Sequence, residues 1–133
     1  MSRRFLHILA VEDDPDIRTV IKLALELDAD ISAVVAGSGS EALQRLDEGP
    51  PPDLVLIDDQ LPDTDGVTLI AALREAGHGE LRYAFLTAST RDADRSRFVA
   101  TGVVGVLAKP FDPLILAQEI RALLVIGQEP SST

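Results

Sequence analysis

The sequence contains no cysteine and no tryptophan, and only two histidines, His7 and His78. Without cysteine there can be no disulfide, no thiolate nucleophile and no cysteine-ligated metal. Two isolated histidines are too few for a zinc site of the usual kind. These absences exclude disulfide-stapled folds and thiol chemistry, and they disfavour zinc-binding modules.

Positive charge and long apolar runs are also scarce. The 133 residues include 12 lysines and arginines against 22 aspartates and glutamates, which gives a formal net charge of −10. Because the cations form no cluster, direct binding to nucleic acid or to an anionic membrane surface is disfavoured. No apolar stretch approaches the roughly 20 residues that a membrane-spanning helix needs. The apolar run after Arg3 and Arg4 is interrupted at His7 and ends at Glu12, so we predict no signal peptide and a cytoplasmic protein.

What the sequence does contain is a regular alternation of short apolar runs with longer amphipathic ones. The predicted strands span residues 5–11, 31–36, 53–57, 82–87 and 104–108. The predicted helices span residues 15–28, 38–49, 66–76, 91–101 and 112–125. Repeated strand–helix units imply parallel strands with helices on both faces. We therefore predict a doubly wound, flavodoxin-like α/β fold with strand order 2-1-3-4-5.

The same pattern sets the expected domain organisation. One domain is predicted over residues 1–126, since no change of composition interrupts the alternation. Residues 127–133 show no periodicity and are predicted to be a polar tail or the start of a linker.

Polar residues stand where four of the five predicted strands end. In a doubly wound sheet, sites form outside the carboxyl ends of the strands. The residues found there, in chain order, are Glu12, Asp13, Asp58, Thr87 and Lys109. We therefore predict that carboxylates, a hydroxyl group and an ammonium group converge at one edge of the sheet.

This combination of groups suits phosphoryl transfer. Several carboxylates in one crevice repel each other and stay ionised only when a cation joins them. Mg²⁺ prefers oxygen ligands, keeps several waters and often contacts phosphate as well. A carboxylate can attack phosphorus and form an aspartyl phosphate, while a metal ion and an ammonium group neutralise the phosphoryl oxygens. Lys109 would supply the ammonium group, and Thr87 a hydroxyl donor.

Four segments resemble, in their order and spacing, the receiver domains of two-component response regulators. They begin at residues 11, 52, 85 and 107 and read VEDDPDIR, PDLVLIDDQLPDTDG, FLTAS and LAKPF. The resemblance covers residues 5–125 and implies a fold like that of the chemotaxis regulators. Together the four motifs are highly specific for this family.

The resemblance implies a role for each residue that matches a motif. Asp58 is expected to be the phosphoacceptor. Glu12 and Asp13 are expected to form the acidic metal-binding pair. The main-chain carbonyl of Gln60 is expected to be a further ligand of Mg²⁺, together with Asp58.

The remaining motif positions concern the phosphoryl group itself. Thr87 is expected to follow it through its hydroxyl group, and Lys109 to pair with it. Pro110 is expected to follow a cis peptide bond. Val106 occupies a position where the family commonly has Tyr or Phe, a ring that moves inward when the threonine shifts. Valine is small and stiff at χ1, so the usual aromatic switch is not expected here.

The partners implied by the resemblance are proteins. A sensor histidine kinase or a histidine phosphotransfer protein would donate the phosphoryl group, and the domain would catalyse its own phosphorylation and dephosphorylation. The reader would be a downstream target protein or an output domain outside this sequence. A phosphorylation-dependent homodimer also fits the family, whereas no direct contact with nucleic acid or membrane is implied.

The other aspartates of the two acidic segments have simpler interpretations. Asp14 is placed as the N-cap ahead of Pro15. Asp63 and Asp65 are expected to order the loop before the third helix. Asp59 should point away from Asp58, following strand alternation, and Asp53 is expected to be structural.

Three other motif matches are weak, and one alternative remains open. Residues 63–69 resemble a phosphatase nucleophile motif, but that motif requires a strand leading into Asp63, and Pro62 breaks such a strand. The same segment suggests a calcium-binding loop, but the residues at the required ligand positions cannot bind calcium. Residues 37–42 match a loose dinucleotide pattern, which a capping box from Ser38 to Glu41 explains. An inert receiver-like interaction module remains the alternative to an active phosphoacceptor.

Overall fold

The computed structural model describes residues 4–128 and contains the predicted alternation of strands and helices. The strands are β1 (Leu6–Val11), β2 (Ile31–Ala36), β3 (Leu54–Asp58), β4 (Tyr83–Thr87) and β5 (Gly105–Ala108). The helices are α1 (Pro15–Glu26), α2 (Gly39–Glu48), α3 (Gly66–Leu73), α4 (Asp92–Val99) and α5 (Leu116–Gln128).

The sheet topology confirms the sequence prediction. All neighbouring strands are parallel, and their order is β2-β1-β3-β4-β5. The strand order reverses between β1 and β3, and the carboxyl ends of both strands lie at the same edge. The register places Val11 opposite Ile57 and Asp58 opposite Leu86. The first acidic loop and Asp58 are therefore brought side by side.

Each face of the sheet has its own apolar core. Alternate residues of β1, such as Ile8 and Ala10, pack with α1 and α5, for example with Leu25 and Ile120. The intervening residues, such as Leu9, pack with α2, α3 and α4. β3 is buried along its whole length, as a strand covered on both faces must be.

Side chains cap the helices that border the site. The Asp14 carboxylate accepts hydrogen bonds from the amides of Asp16 and Ile17 at the start of α1. Ser38 caps α2 by accepting from the Glu41 amide at 3.1 Å. These contacts confirm both predicted N-caps, although Glu41 reaches back to the amide of residue 37 rather than to that of the N-cap itself.

Most predicted elements differ from the observed ones by one or two residues at a boundary, and the larger differences lie in the third and last helices. The last helix begins at Leu116 rather than at 112, because Asp112 accepts from the Leu114 amide and forms a separate turn around Pro113. The third helix is α-helical to Leu73 and continues as a π-helical segment, Arg74–His78, whose backbone leaves helical geometry at Gly77, the residue predicted to end it. The third strand starts one residue later than predicted and includes Asp58.

The C-terminal boundary extends past the predicted one. α5 continues to Gln128, so the first two residues of the predicted tail belong to the helix. Residues 129–133 of that tail lie outside the described part of the chain, and the extent of the domain stays a prediction. Within residues 4–128, no helix has the length and apolarity needed to cross a membrane.

Candidate functional site

The predicted site residues meet in a crevice at the carboxyl end of the sheet. It is lined by residues of the loops after β1, β3, β4 and β5, and we call it the acidic crevice. Its lining includes Glu12, Asp13, Asp58, Gln60 and Lys109. Two carboxylates reach it from a buried position, since Glu12 is 1% exposed and Asp58 is 7% exposed. Asp13 is exposed at the rim.

Lys109 joins the two buried carboxylates. Its Nζ lies 3.0 Å from Asp58 Oδ2 and donates a hydrogen bond to it. The same Nζ lies 2.6 Å from Glu12 Oε1 and forms an ion pair with it. Burial disfavours the ammonium charge, but the two carboxylates outweigh this effect and raise the pKa of Lys109 above its ordinary value. Lys109 therefore stays charged.

The peptide bond between Lys109 and Pro110 is cis, as expected. Lys109 is held at the strand end by its own amide, which donates to the Thr87 carbonyl at 2.8 Å. The backbone thus connects the ends of β4 and β5 directly beneath the ammonium group.

Three carboxylates are close enough to share one cation. An oxygen atom from each of Glu12, Asp13 and Asp58 lies within 4.8 Å of the other two. Glu12 Oε1 is buried, and apart from the Lys109 ammonium group it has no polar partner among residues 4–128. A buried carboxylate oxygen with spare acceptor capacity, beside two further carboxylates, suits a hard cation with oxygen ligands. The donor set therefore fits Mg²⁺.

Comparison with known proteins assigns the chain to a family. The family model of the response regulator receiver domain matches residues 8–121. The chain belongs to the response regulator receiver domain family. Receiver domains are components of two-component signalling, and the acidic crevice lies where the resemblance in the sequence predicted it.

Individual relatives agree with this assignment. A 14.6 kDa protein of Leptolyngbya boryana, encoded in the sodA1 3′ region, is 38% identical over 117 residues, which cover 87% of this chain and 88% of that protein. The phosphate regulon transcriptional regulatory protein PhoB of Klebsiella pneumoniae is 37% identical over 125 residues, which cover 93% of this chain and 52% of PhoB. The receiver domain thus spans about half the length of PhoB.

Solved structures share the fold. The chemotaxis response regulator CheY4 of Vibrio cholerae superimposes with a TM-score of 0.79 at 27% identity, over 90% of this chain and 98% of that one. The receiver domain of the Francisella response regulator 1452 gives a TM-score of 0.80 at 26% identity, over 92% and 99% of the two chains. Both matches support the flavodoxin-like topology.

Thr87 lies at the end of β4, 3% exposed, next to the lining of the acidic crevice. Its hydroxyl oxygen accepts a hydrogen bond from the Ser89 amide at 3.0 Å. The Ser89 hydroxyl in turn donates to Asp94 Oδ2 of α4 at 2.7 Å. The hydroxyl proton of Thr87 is its remaining hydrogen-bond donor. Through Ser89 and Asp94, a short chain of hydrogen bonds connects Thr87 to α4.

Val106 occupies the position where an aromatic ring is common in receiver domains. It lies in β5, opposite Phe85 in register, and is half-buried against the core on that face. Phe85 itself packs against Phe98 of α4, with ring centroids 4.6 Å apart. The Ser89–Asp94 contact thus joins the crevice lining to α4, and no aromatic ring lies at position 106.

The neighbouring aspartates have separate roles. Asp65 caps α3 by accepting from the Thr68 amide and hydroxyl. Asp53 forms an ion pair with Arg4 and accepts from the His7 amide at the opposite edge of the sheet. Both observations agree with the structural interpretation of these residues.

Asp59 also contributes to the lining of the acidic crevice. Its carboxylate is not among the three that converge there, which are those of Glu12, Asp13 and Asp58. Its neighbour in space is Gly66, where a Cβ would lie 3.1 Å from Asp59 Cα and 2.7 Å from a ring carbon of Phe85. Only glycine permits this close approach of α3 to the strand end.

Sequence reasoning missed two residues that support the site. The Arg18 guanidinium donates to the main-chain carbonyls of Glu12 and Asp13 at 2.9 and 3.1 Å, and so holds the first acidic loop. Asp94 was missed because its contact with Ser89 spans a loop. Arg18 lies one helical turn beyond Asp14 in the first motif, which is the signal that could have indicated it.

The buried carboxylates predict a specific dependence of stability on pH. Burial raises the pKa of Glu12 and of Asp58 above their ordinary values, although Lys109 opposes the shift. The folded state then holds protons that the unfolded state has lost, so these groups stabilise less as pH rises. Relative to Asp58→Asn, the metal-free wild type should therefore lose stability as pH increases from about 4 through the raised values.

Denaturant unfolding of both proteins at several pH values, with and without Mg²⁺, measures this effect. Because metal binding requires ionised ligands, the stabilisation by Mg²⁺ should grow over the same pH range. At a concentration one hundred times its Kd, Mg²⁺ would add about 2.7 kcal/mol. If the difference in free energy of unfolding between wild type and Asp58→Asn does not change with pH, the assignment of raised pKa values is contradicted.

Proposed function

We propose that this receiver domain accepts a phosphoryl group on Asp58 in an Mg²⁺-dependent reaction. The donor would be a phosphohistidine of a sensor histidine kinase or of a histidine phosphotransfer protein. The observation that best supports the proposal is the ammonium group of Lys109, which lies between Asp58 and Glu12 in a crevice where three carboxylates converge.

The chemistry follows from the arrangement of charges. A carboxylate oxygen of Asp58 forms a bond to phosphorus while the bond from phosphorus to the histidine nitrogen breaks, and the imidazole keeps the electron pair. The ammonium group of Lys109 then pairs with a phosphoryl oxygen, and Thr87 donates its hydroxyl proton to another. Bound Mg²⁺ would be held by Glu12, Asp13, Asp58 and the Gln60 carbonyl, and would neutralise charge on the phosphoryl oxygens.

Phosphorylation would act as a switch through a shift between two arrangements of the surface. A ligand or modification moves such an equilibrium only when it interacts differently with the two states. Movement of Thr87 toward the phosphoryl group would break its contact with the Ser89 amide and displace the loop that holds Asp94. The surface of α4, β5 and α5 would then be read by a target protein, by an output domain or by a second copy of the chain.

Intact mass spectrometry provides the direct test. Wild-type protein incubated with Mg²⁺ and acetyl phosphate should gain one phosphoryl group, and EDTA should prevent the gain. A histidine kinase should be used as a second donor, since small donors do not serve every acceptor. No adduct from either donor would favour the inert interaction module instead.

A further inference from the structure

The loop that follows the phosphoacceptor is tethered to another helix. Asp63, in the β3–α3 loop, accepts hydrogen bonds from two amides in the first turn of α2. Its Oδ1 lies 2.9 Å from the Gly39 amide nitrogen, and its Oδ2 lies 3.1 Å from that of Ser40. The two partners are 24 and 23 residues away in the sequence, so one carboxylate connects elements that are far apart along the chain.

The tether is close and charge-assisted. A Cβ on Gly39 would lie 3.0 Å from a methyl carbon of Thr64, which shows how near the loop approaches the helix. The backbone amides, Gly39 first, lower the pKa of Asp63 below its ordinary value, so the carboxylate is ionised at neutral pH. A negative charge at the N-terminus of α2 is also favoured by the helix dipole.

The tethered loop is cross-linked by main-chain hydrogen bonds. Gln60 and Asp65 form an antiparallel bridge across it, and the Leu61 amide donates to the Thr64 carbonyl at 3.0 Å. At its far end, the Gly66 amide donates to the Asp59 carbonyl at 2.9 Å. A displacement at residue 63 therefore reaches residue 60 through a closed set of main-chain bonds.

Gln60 is where the loop meets the site. Its amide donates to Asp58 Oδ1 at 3.2 Å. We infer that Asp63 is a positioning residue: by holding the loop against α2, it fixes Gln60 relative to Asp58 and thereby sets Mg²⁺ affinity and the rate of phosphorylation. This inference rests on the proposed function, because its effects are read at Asp58.

A purely structural role for Asp63 would be the capping of α2. Ser38 also caps this helix, but its hydroxyl group bonds to the Glu41 amide and to Ser40, both in α2, rather than to the loop. Ser38→Ala is therefore a matched control, since it weakens the start of α2 and leaves the tether intact. The two variants separate the loss of a cap from the loss of the loop position.

The experiment compares wild type, Asp63→Ala, Asp63→Asn and Ser38→Ala. The Kd for Mg²⁺ is measured by calorimetry, and the rate of phosphorylation by acetyl phosphate is measured by mass spectrometry. Hydrogen exchange measures the protection of the Gln60 amide. Asp63→Ala should raise the Kd by up to about tenfold, the lower end of the effect of removing a group bonded to a metal ligand, because Asp63 itself bonds to α2 and acts on Gln60 through the loop. It should also slow labelling and speed exchange at Gln60. Asp63→Asn should be intermediate, because its one amide oxygen can accept from only one of the two amides. Ser38→Ala should lower the thermal midpoint without changing the Kd.

Charge alone is excluded by repeating the titrations in about 1 M salt, where the screening length is about 3 Å and a distant charge no longer matters. The effect of Asp63→Ala should persist there. The inference is overturned if wild type binds Mg²⁺ and is phosphorylated but Asp63→Ala behaves identically, or if Ser38→Ala changes the Kd equally. A wild type that neither binds Mg²⁺ nor accepts phosphate would overturn the proposed function as well, which is a distinct outcome.

Discussion

Asp58→Asn is expected to abolish the phosphoryl adduct completely, with either acetyl phosphate or a histidine kinase as donor. An amide oxygen is a poor nucleophile, whereas the ionised carboxylate can form the bond to phosphorus. The side chain keeps its shape, although its single amide oxygen can accept from only one of the two donors, Lys109 and the Gln60 amide, which now bind different oxygens of Asp58. Because both apolar cores are unchanged, the fold should survive, and the loss should be one of chemistry.

Asp59→Asn is the matched control for this experiment. It removes the same charge one residue away, in the same crevice, from a residue that the proposed mechanism does not use. Intact mass after incubation with Mg²⁺ and donor should show the adduct on Asp59→Asn and none on Asp58→Asn. An adduct that persists on Asp58→Asn would show that another residue is the nucleophile.

Lys109→Met is expected to slow phosphorylation by about a hundredfold, the usual effect of removing one preorganised donor from a site of developing charge. It should also destabilise the metal-free protein at neutral pH. Two buried carboxylates would lose the ammonium group that lies 2.6 and 3.0 Å from them. The cost should be about 2 kcal/mol, less than for a fully buried pair because the crevice is open to water.

The loss of stability in Lys109→Met has a pH signature. Without the ammonium group, the pKa values of Glu12 and Asp58 should rise further, so stability should recover as pH falls and the carboxylates bind protons.

Lys22→Met is the matched control, because it makes the same chemical change at the only other lysine in the sequence. The Nζ of Lys22 contacts Glu26 and the Ala33 carbonyl, outside the crevice. Labelling rates and unfolding curves at pH 5 and 7 measure both effects. A normal labelling rate in Lys109→Met would remove Lys109 from the mechanism.

Much of the fold was predictable because its determinants are local. Apolar runs bounded by helix caps indicated the five strands and helices, and the rule for right-handed crossovers then led to the observed strand order. The errors lay at boundaries. The start of α5 was misplaced because the side chain of Asp112 closes a separate turn, and turns of this kind compete with helix starts that have similar residues.

The convergence of Glu12, Asp13, Asp58 and Lys109 was likewise determined by the sequence, because parallel strands place the residues that follow them at one edge of the sheet. Only the tertiary structure decided which groups touch. The ion pairs of Lys109 and the tether from Asp63 to α2 join residues 23 to 97 positions apart. Such contacts depend on side-chain direction and loop closure, which the periodicity of the sequence does not encode. Periodicity specifies the backbone of each element, whereas packing of the elements against one another sets the distances on which the chemistry depends.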